Sequence, residues 1–181
     1  GTESDAGVEL GFADSLRFGN IALFNGAGPG PDDNRDKGVS ATGGIKTPGA
    51  HLAGSFYDNK TGNDLTQTTQ QVVGVYTAYR LKRVTLLGEW DYITTEKSSK
   101  INGAVAFAEA SLLIRKGIVA KIKVDDYNPD KKKSGDRLKR YTLGVDLYPA
   151  PYTEVLIQYR KNKEEIEIRN DQILVMTHVY F

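Results

Sequence analysis

The residues that could carry covalent or metal chemistry are few and badly spaced for it. The 181-residue sequence has two histidines, His51 and His178, and no cysteine. A zinc site needs three or four nitrogen, sulfur or carboxylate ligands at close spacing, and no His-Glu-x-x-His or comparable pattern surrounds either histidine. The missing thiol also excludes disulfides and a cysteine nucleophile. Asp32, Asn34 and Asp36 alternate like the ligands of a calcium loop, yet the sixth position is Lys37 and the twelfth is Gly43. An EF-hand is thereby excluded, and weak Ca²⁺ coordination by Asp32, Asp33 and Asp36 is the most this segment offers. Gly26-Ala27-Gly28-Pro29-Gly30 is glycine-rich but has no following Lys-Ser/Thr and opens no helix, so it is no phosphate cradle. Serine, histidine and carboxylates occur, with nothing to bring them together as a triad. The expectation is a protein that is not an enzyme and holds no cofactor or metal.

The polar chemistry that remains is charge at alternate positions. Arg80, Glu89, Asp91, Glu109, Lys121, Lys123, Asp125, Arg140, Asp146, Glu154, Gln158, Arg160 and His178 each stand one residue out of step with a neighbouring apolar set. In Leu138–Tyr148, for example, Tyr141, Leu143, Val145 and Leu147 alternate with Arg140, Thr142, Gly144 and Asp146. A period of two places the two sets on opposite faces of a β-strand. Five of the thirteen are basic and six acidic.

The elements that must position these residues are strands throughout. Eleven are expected near 6–13, 15–25, 38–47, 51–59, 70–81, 84–95, 103–113, 117–127, 137–148, 152–163 and 171–181. Only Ala104–Ile114, rich in Ala, Glu and Leu, competes as a helix; Gly103 and Gly117 bound it and strands flank it, which favours β. The connections alternate in length. Short ones fall at Ala13-Asp14, Thr47–Ala50, Lys82-Arg83, Ile114–Lys116 and Pro149–Pro151, and long polar ones at Gly26–Lys37, Lys60–Thr69, Glu96–Asn102, Asn128–Asp136 and Asn162–Asn170. Tight turns at one end and hydrophilic loops at the other are the pattern of an up-and-down transmembrane β-barrel, whose tilted strands of about ten residues span a bilayer. The longest apolar run is about five residues, against the roughly 20 that a spanning helix needs. Lys and Arg number 24 against 23 Asp and Glu, so no basic excess points to nucleic acid. No composition break divides residues 1–181, which read as one barrel domain or segment. Its aromatics are expected toward the strand ends, at the headgroup level.

The chain ends Asp-Gln-Ile-Leu-Val-Met-Thr-His-Val-Tyr-Phe. Counting back by twos gives Phe181, Val179, Thr177, Val175 and Ile173, an apolar face closed by an aromatic. This resembles the C-terminal strand of Gram-negative outer-membrane proteins, which implies recognition by the barrel-assembly machinery. Near the start, Asp5-Ala6-Gly7-Val8-Glu9-Leu10, a short turn, Leu16-Arg17-Phe18 and Ile21-Ala22-Leu23-Phe24-Asn25-Gly26 are similar to the first strands of the phosphate-selective porins of the O and P type. Tyr141–Asp146, Tyr148-Pro149 and Tyr159-Arg160-Lys161-Asn162 extend that resemblance over most of the chain. It implies a bacterial outer-membrane porin of roughly 16–18 strands, often trimeric, of which this chain is the C-terminal part. If Phe181 ends on the periplasmic side, eleven strands begin on the outside, and further strands upstream or on another chain are expected; overcalling 6–13 or overlooking a strand would give a barrel of about ten or twelve.

On this reading the thirteen alternating residues line a water-filled lumen, because charges facing lipid would cost several kcal/mol each. Five basic against six acidic is not the Arg/Lys ladder of an anion-selective wall, and cross-strand pairing that stiffens the wall is the plainer use of many of them. Lys131, Lys132, Lys133 and Arg137 form a basic external loop, an ordinary solvated loop or a contact for lipopolysaccharide phosphates. The expected function is passive diffusion of small hydrophilic solutes, with outer-membrane lipid, lipopolysaccharide and further copies of the chain as partners. Two alternatives stand beside it: a structural barrel that sheathes a partner protein, and a soluble β-barrel whose apolar face turns inward onto a ligand.

Overall fold

The computed structural model describes residues 5–26, 36–62, 67–164 and 170–180. The strands are β1 (Gly7–Ala13), β2 (Arg17–Phe24), β3 (Gly38–Lys46), β4 (Ala50–Thr61), β5 (Thr68–Leu81), β6 (Val84–Glu96), β7 (Lys100–Arg115), β8 (Ile118–Asn128), β9 (Leu138–Ala150), β10 (Thr153–Glu164) and β11 (Gln172–Val179). They form one eleven-stranded sheet in sequence order, every neighbour antiparallel. The sheet is not closed: β1 and β11 do not pair with each other. It is an all-β, up-and-down antiparallel meander.

Several boundaries move from their sequence positions. Ala104–Ile114 lies inside β7, and Ala104, Ala106, Ala108 and Ala110 share a face opposite Tyr92, Trp90, Gly88 and Leu86 of β6. Ladder pairing with β6 and β8 overrides the helix propensity of alanine. The β6–β7 ladder runs to Glu96↔Lys100, so the connection expected to be long there is only Lys97-Ser98-Ser99. β9 continues through Pro149, and the turn falls at Pro151-Tyr152. Pro149 keeps its place because a strand end beside a turn does not need every N–H. At the β7–β8 turn, Gly117 has φ +83°, a left-handed conformation that glycine adopts without steric cost.

This sheet has almost no conventional core. Ala53 and Leu156 are the buried apolar side chains among the described residues, whereas Leu10, Leu143 and Ile173 are 71%, 61% and 78% exposed. A globular protein of 19.9 kDa exposes about 8,700 Å², but this chain exposes 12660 Å². The large exposed apolar side chains fall mostly on one face of the sheet. Registers such as Leu10↔Ile21, Ile45↔Leu52, Val75↔Trp90, Ala110↔Ile122↔Leu143 and Ile157↔Val175 join the apolar residues into one continuous face. An exposed apolar area this large needs a cover of lipid or protein. Not every aromatic sits at a strand end: Trp90 and Tyr76 are mid-strand, and Tyr76 points to the other face.

The short turns carry their own polar closure. Asp14 Oδ1 accepts from the backbone N–H of Arg17 at 2.6 Å and of Leu16 at 2.7 Å, and Oδ2 accepts from Arg17 Nε at 3.2 Å. The Arg17 N–H, then that of Leu16, hold this carboxyl below its ordinary value of 3.8. A depressed value means the contribution is present above the unfolded-state pKa and lost as pH falls through the folded-state one. Carbon-detected NMR titration is expected to place the Asp14 midpoint below 3.8. The stability difference between the natural protein and D14N should shrink on acidification below about pH 4.

Candidate functional site

Directly opposed residues in a ladder share a face, so the registers assign every side chain. Tyr76↔Glu89↔Phe107, Gly74↔Asp91, Arg80↔Thr85, Glu109↔Lys123, Ser111↔Lys121↔Gly144↔Gln158, Asp125↔Arg140, Asp146↔Leu156, Thr142↔Arg160 and Glu154↔His178 all lie on the face away from the apolar one. All thirteen of the alternating polar residues are therefore on one side of the sheet. The structure divides them into three groups.

The largest group spans β7 to β10 around a recess of about 180 Å³, lined by Glu109, Lys121, Lys123, Asp125, Arg140, Thr142, Gln158 and Arg160. Its two lysines are neutralised. Lys121 Nζ is 2.6 Å from Asp146 Oδ2, with both side chains largely buried, and Lys123 Nζ is 2.7 Å from Asp125 Oδ1. Lys123 also stands 4.6 Å from the Phe107 ring centroid. The two arginines are held differently, by neutral amides. Arg140 Nε donates to Asn162 Oδ1 at 2.8 Å, and Arg160 donates through Nε and Nη2 to Gln158 Oε1 at 3.2 and 2.9 Å. An amide orients a guanidinium without cancelling its charge. Glu109 accepts from Ser111 Oγ at 3.0 Å. Four cations and two carboxylates line the recess; with Asp146, which neutralises Lys121 from beside it, the balance is +1, whereas the thirteen residues together carry five positive and six negative charges, a balance of −1.

Gly144 makes this packing possible. It stands between Lys121 and Gln158 in register, and a Cβ there would come to 3.0 Å from Gln158 Cγ and 3.2 Å from Lys121 Cγ. The missing side chain leaves room for the stems of Lys121 and Gln158 over β9, from where Lys121 reaches Asp146.

The second group sits at the short-turn end. Glu154 accepts from Tyr148 Oη at 2.9 Å and from Tyr180 Oη at 3.3 Å, and its Oε2 is 2.9 Å from His178 Nδ1. This cluster ties β9, β10 and β11 together. The third group is Arg80, Glu89 and Asp91 on β5 and β6, which are not brought to the recess. The Asp91 carboxylate covers Gly74, where a Cβ would collide with it and with Ser55 Oγ.

The remaining sequence expectations separate by face. Val175, Thr177 and Val179 share the apolar face with Ile173; Phe181 lies outside the described residues. In the basic loop, Lys131 stands 5.3 Å from the Tyr92 ring centroid, Lys132 N–H donates to Asp130 Oδ1, and Arg137 grips Asp126 through Nε and Nη2. Asp32 and Asp33 also lie outside the described residues. Asp36 is engaged by Lys60 Nζ at 3.3 Å and Gln67 Nε2 at 2.6 Å. Among the described residues, no group of three or more His, Asp or Glu is arranged to hold a metal. Asn162, Ser111 and Thr142 join the site although they are not among the thirteen; each continues the polar alternation of its strand, beside Arg160, Glu109 and Arg140.

The Lys121–Asp146 pair gives a stability test. Asp146→Asn leaves the Lys121 ammonium without its counter-charge, and loss of one partner of a largely buried pair costs about 3 kcal/mol. Urea unfolding of the reconstituted protein should show that loss, with most of it regained in the K121M/D146L double variant.

No family model and no curated protein matches the sequence. Among solved structures, the fold is similar to the anion-selective porin from Comamonas acidovorans, with a TM-score of 0.73 and 11% identity over 86% of this chain. The match takes in 48% of the porin, so the chain spans about half the length of that protein. At that identity the likeness establishes the fold: an eleven-stranded segment of porin-like antiparallel sheet.

Proposed function

We propose that this chain forms wall of a porin-like channel in a bacterial outer membrane, through which small hydrophilic solutes diffuse passively without an enzymatic step. The observation that carries this reading is the strict partition of the sheet: a continuous exposed apolar face on one side, and all thirteen alternating polar residues on the other. A cation on the lipid side of a barrel costs about 2–4 kcal/mol at mid-membrane, so the charged face is the one that meets water. Free sheet edges are not tolerated in hydrocarbon, so on this reading the outer edges of β1 and β11 pair with further strands. Assembly by the barrel machinery and a trimeric state belong to the same reading.

The recess sets the expected selectivity. The lysines are spent on Asp146 and Asp125, while Arg140 and Arg160 are held by neutral amides and outweigh the one remaining carboxylate, Glu109. This favours small anions locally, in keeping with the name of the Comamonas structure. A guanidinium some 10–15 Å from a permeating anion contributes on the order of 1 kcal/mol at an effective dielectric constant of about 20. The R140Q/R160Q variant should therefore lower the anion-to-cation permeability ratio in planar bilayers by roughly fivefold to tenfold, and by less at high salt. A folded, inserted protein without conductance would refute the channel.

That outcome would favour a sheath around a partner protein. The polar face of β1 to β4 supports this second reading, because its formally charged residues are only Glu9 and Lys46, among small side chains such as Gly11, Ala22, Ser40, Thr42 and Ser55.

A further inference from the structure

The apolar face ends, at the long-loop rim of β9 and β10, in a feature that a simple lipid belt does not require. In register from the middle of the sheet outward, Val145 stands opposite Ile157, Leu143 opposite Tyr159, Tyr141 opposite Lys161 and Lys139 opposite Lys163. All eight residues share the outward face. The order is aliphatic, then aromatic, then cationic. Lys161 and Lys163 are exposed and Lys139 is half-buried.

Two ammonium groups directly across a ladder repel each other, which a sheet avoids unless something relieves it. The adjacent acid relieves it only in part. Asp126, the next residue in register beyond Lys139, attracts that ammonium through space, but both its oxygens accept hydrogen bonds from Arg137. Glu164 borders the shallow recess of about 260 Å³ that Arg137, Lys139, Tyr141 and Lys163 line, and it accepts instead from Asn170 Nδ2 at 2.7 Å. Among the described residues, no carboxylate stands within ion-pair distance of Lys139, Lys161 or Lys163. Elsewhere at this rim the pairs on the same face include Asp58↔Gln71, Lys60↔Thr69, Thr94↔Asn102 and Glu96↔Lys100, without a second lysine pair.

We propose that Lys139, Lys161 and Lys163 form a binding site for the phosphate of a phosphorylated lipid headgroup, whose acyl chains lie down the apolar face over Leu143, Tyr159, Val145 and Ile157. The proposal rests on the outward face meeting lipid, as the channel reading requires. It also moves the anion contact from the Lys131–Lys133 loop onto the strands, where lysine stems lie along apolar surface and place their charge at headgroup height.

The test reconstitutes the protein in phosphatidylcholine vesicles containing a few mole per cent of lipid A, and counts retained lipid by native mass spectrometry. A lysine beside an anionic lipid surface contributes about fivefold in affinity, so K139Q/K161Q/K163Q should retain lipid A roughly a hundredfold more weakly, and K163Q alone about fivefold. K97Q, at the same rim, should behave as the natural protein. Dephosphorylated lipid A should bind the natural protein no better than it binds the triple variant, and inorganic phosphate at equal concentration should not displace lipid A. Undiminished retention by the single and triple variants, or displacement by inorganic phosphate, would overturn the site. Conductance is read on the same vesicles: the triple variant should conduct like the natural protein, because these lysines face away from the recess. Intact conductance with unchanged lipid retention sinks this site alone, whereas absent conductance in the natural protein strikes the channel reading.

Discussion

The architecture depends on the antiparallel ladder with its period of two. Between the two edge strands, backbone N–H and C=O groups pair with neighbouring strands on both sides, and each residue is thereby fixed to one face or the other. A slip of one residue in any register would move a whole set of side chains across the sheet. In β8 this would exchange Lys121, Lys123 and Asp125 for Ala120, Ile122 and Val124. The cost of such a slip keeps ten consecutive pairings in phase. The sheet has little buried interior of its own, so its apolar side must be completed by its surroundings.

Within that frame, the polar face is shaped by what neutralises what. Aspartates cancel the two lysines of the recess, whereas amides merely aim the two arginines. A nearly balanced set of formal charges thus becomes a locally positive surface. Gly144 contributes by absence, since the neighbours in its register need the volume that a side chain would fill. At the short-turn end, Glu154 gathers two tyrosines and His178, joining β9, β10 and β11. The outward lysines of β9 and β10 are the counterpart on the other face, the place where the apolar belt gives way to charge.

Much of this was legible in the sequence because period two is a local signal. The eleven strands, and the common face of residues as distant as Arg80 and His178, follow from alternation within each strand plus tight turns that preserve phase. Turn and loop lengths were less legible. Glu96–Asn102 reads as a polar loop, yet cross-strand pairing carries β6 and β7 to within three residues of each other. Pro149 reads as a stop but sits in a strand end, where its missing N–H costs nothing. The helix propensity of Ala104–Ile114 was outweighed by its two ladder neighbours. Which charges pair was not legible at all, because Lys121–Asp146 and Arg140–Asn162 depend on the stagger of adjacent strands, a nonlocal quantity. For the same reason, the contrast between neutralised lysines and amide-held arginines emerges only from the fold.

The most direct test of the account uses the natural absence of cysteine. Single cysteines placed in turn from Leu86 to Asp91 of β6, in protein reconstituted into vesicles, would be read twice: by labelling with a membrane-impermeant thiol reagent, and by quenching of an attached fluorophore with lipid-borne nitroxide. The account predicts strict alternation, with positions 87, 89 and 91 labelled from water and positions 86, 88 and 90 quenched from lipid. Alternation in the opposite sense, or equal access of water to both sets, would contradict the assignment of the charged face to an aqueous lumen and the apolar face to the membrane.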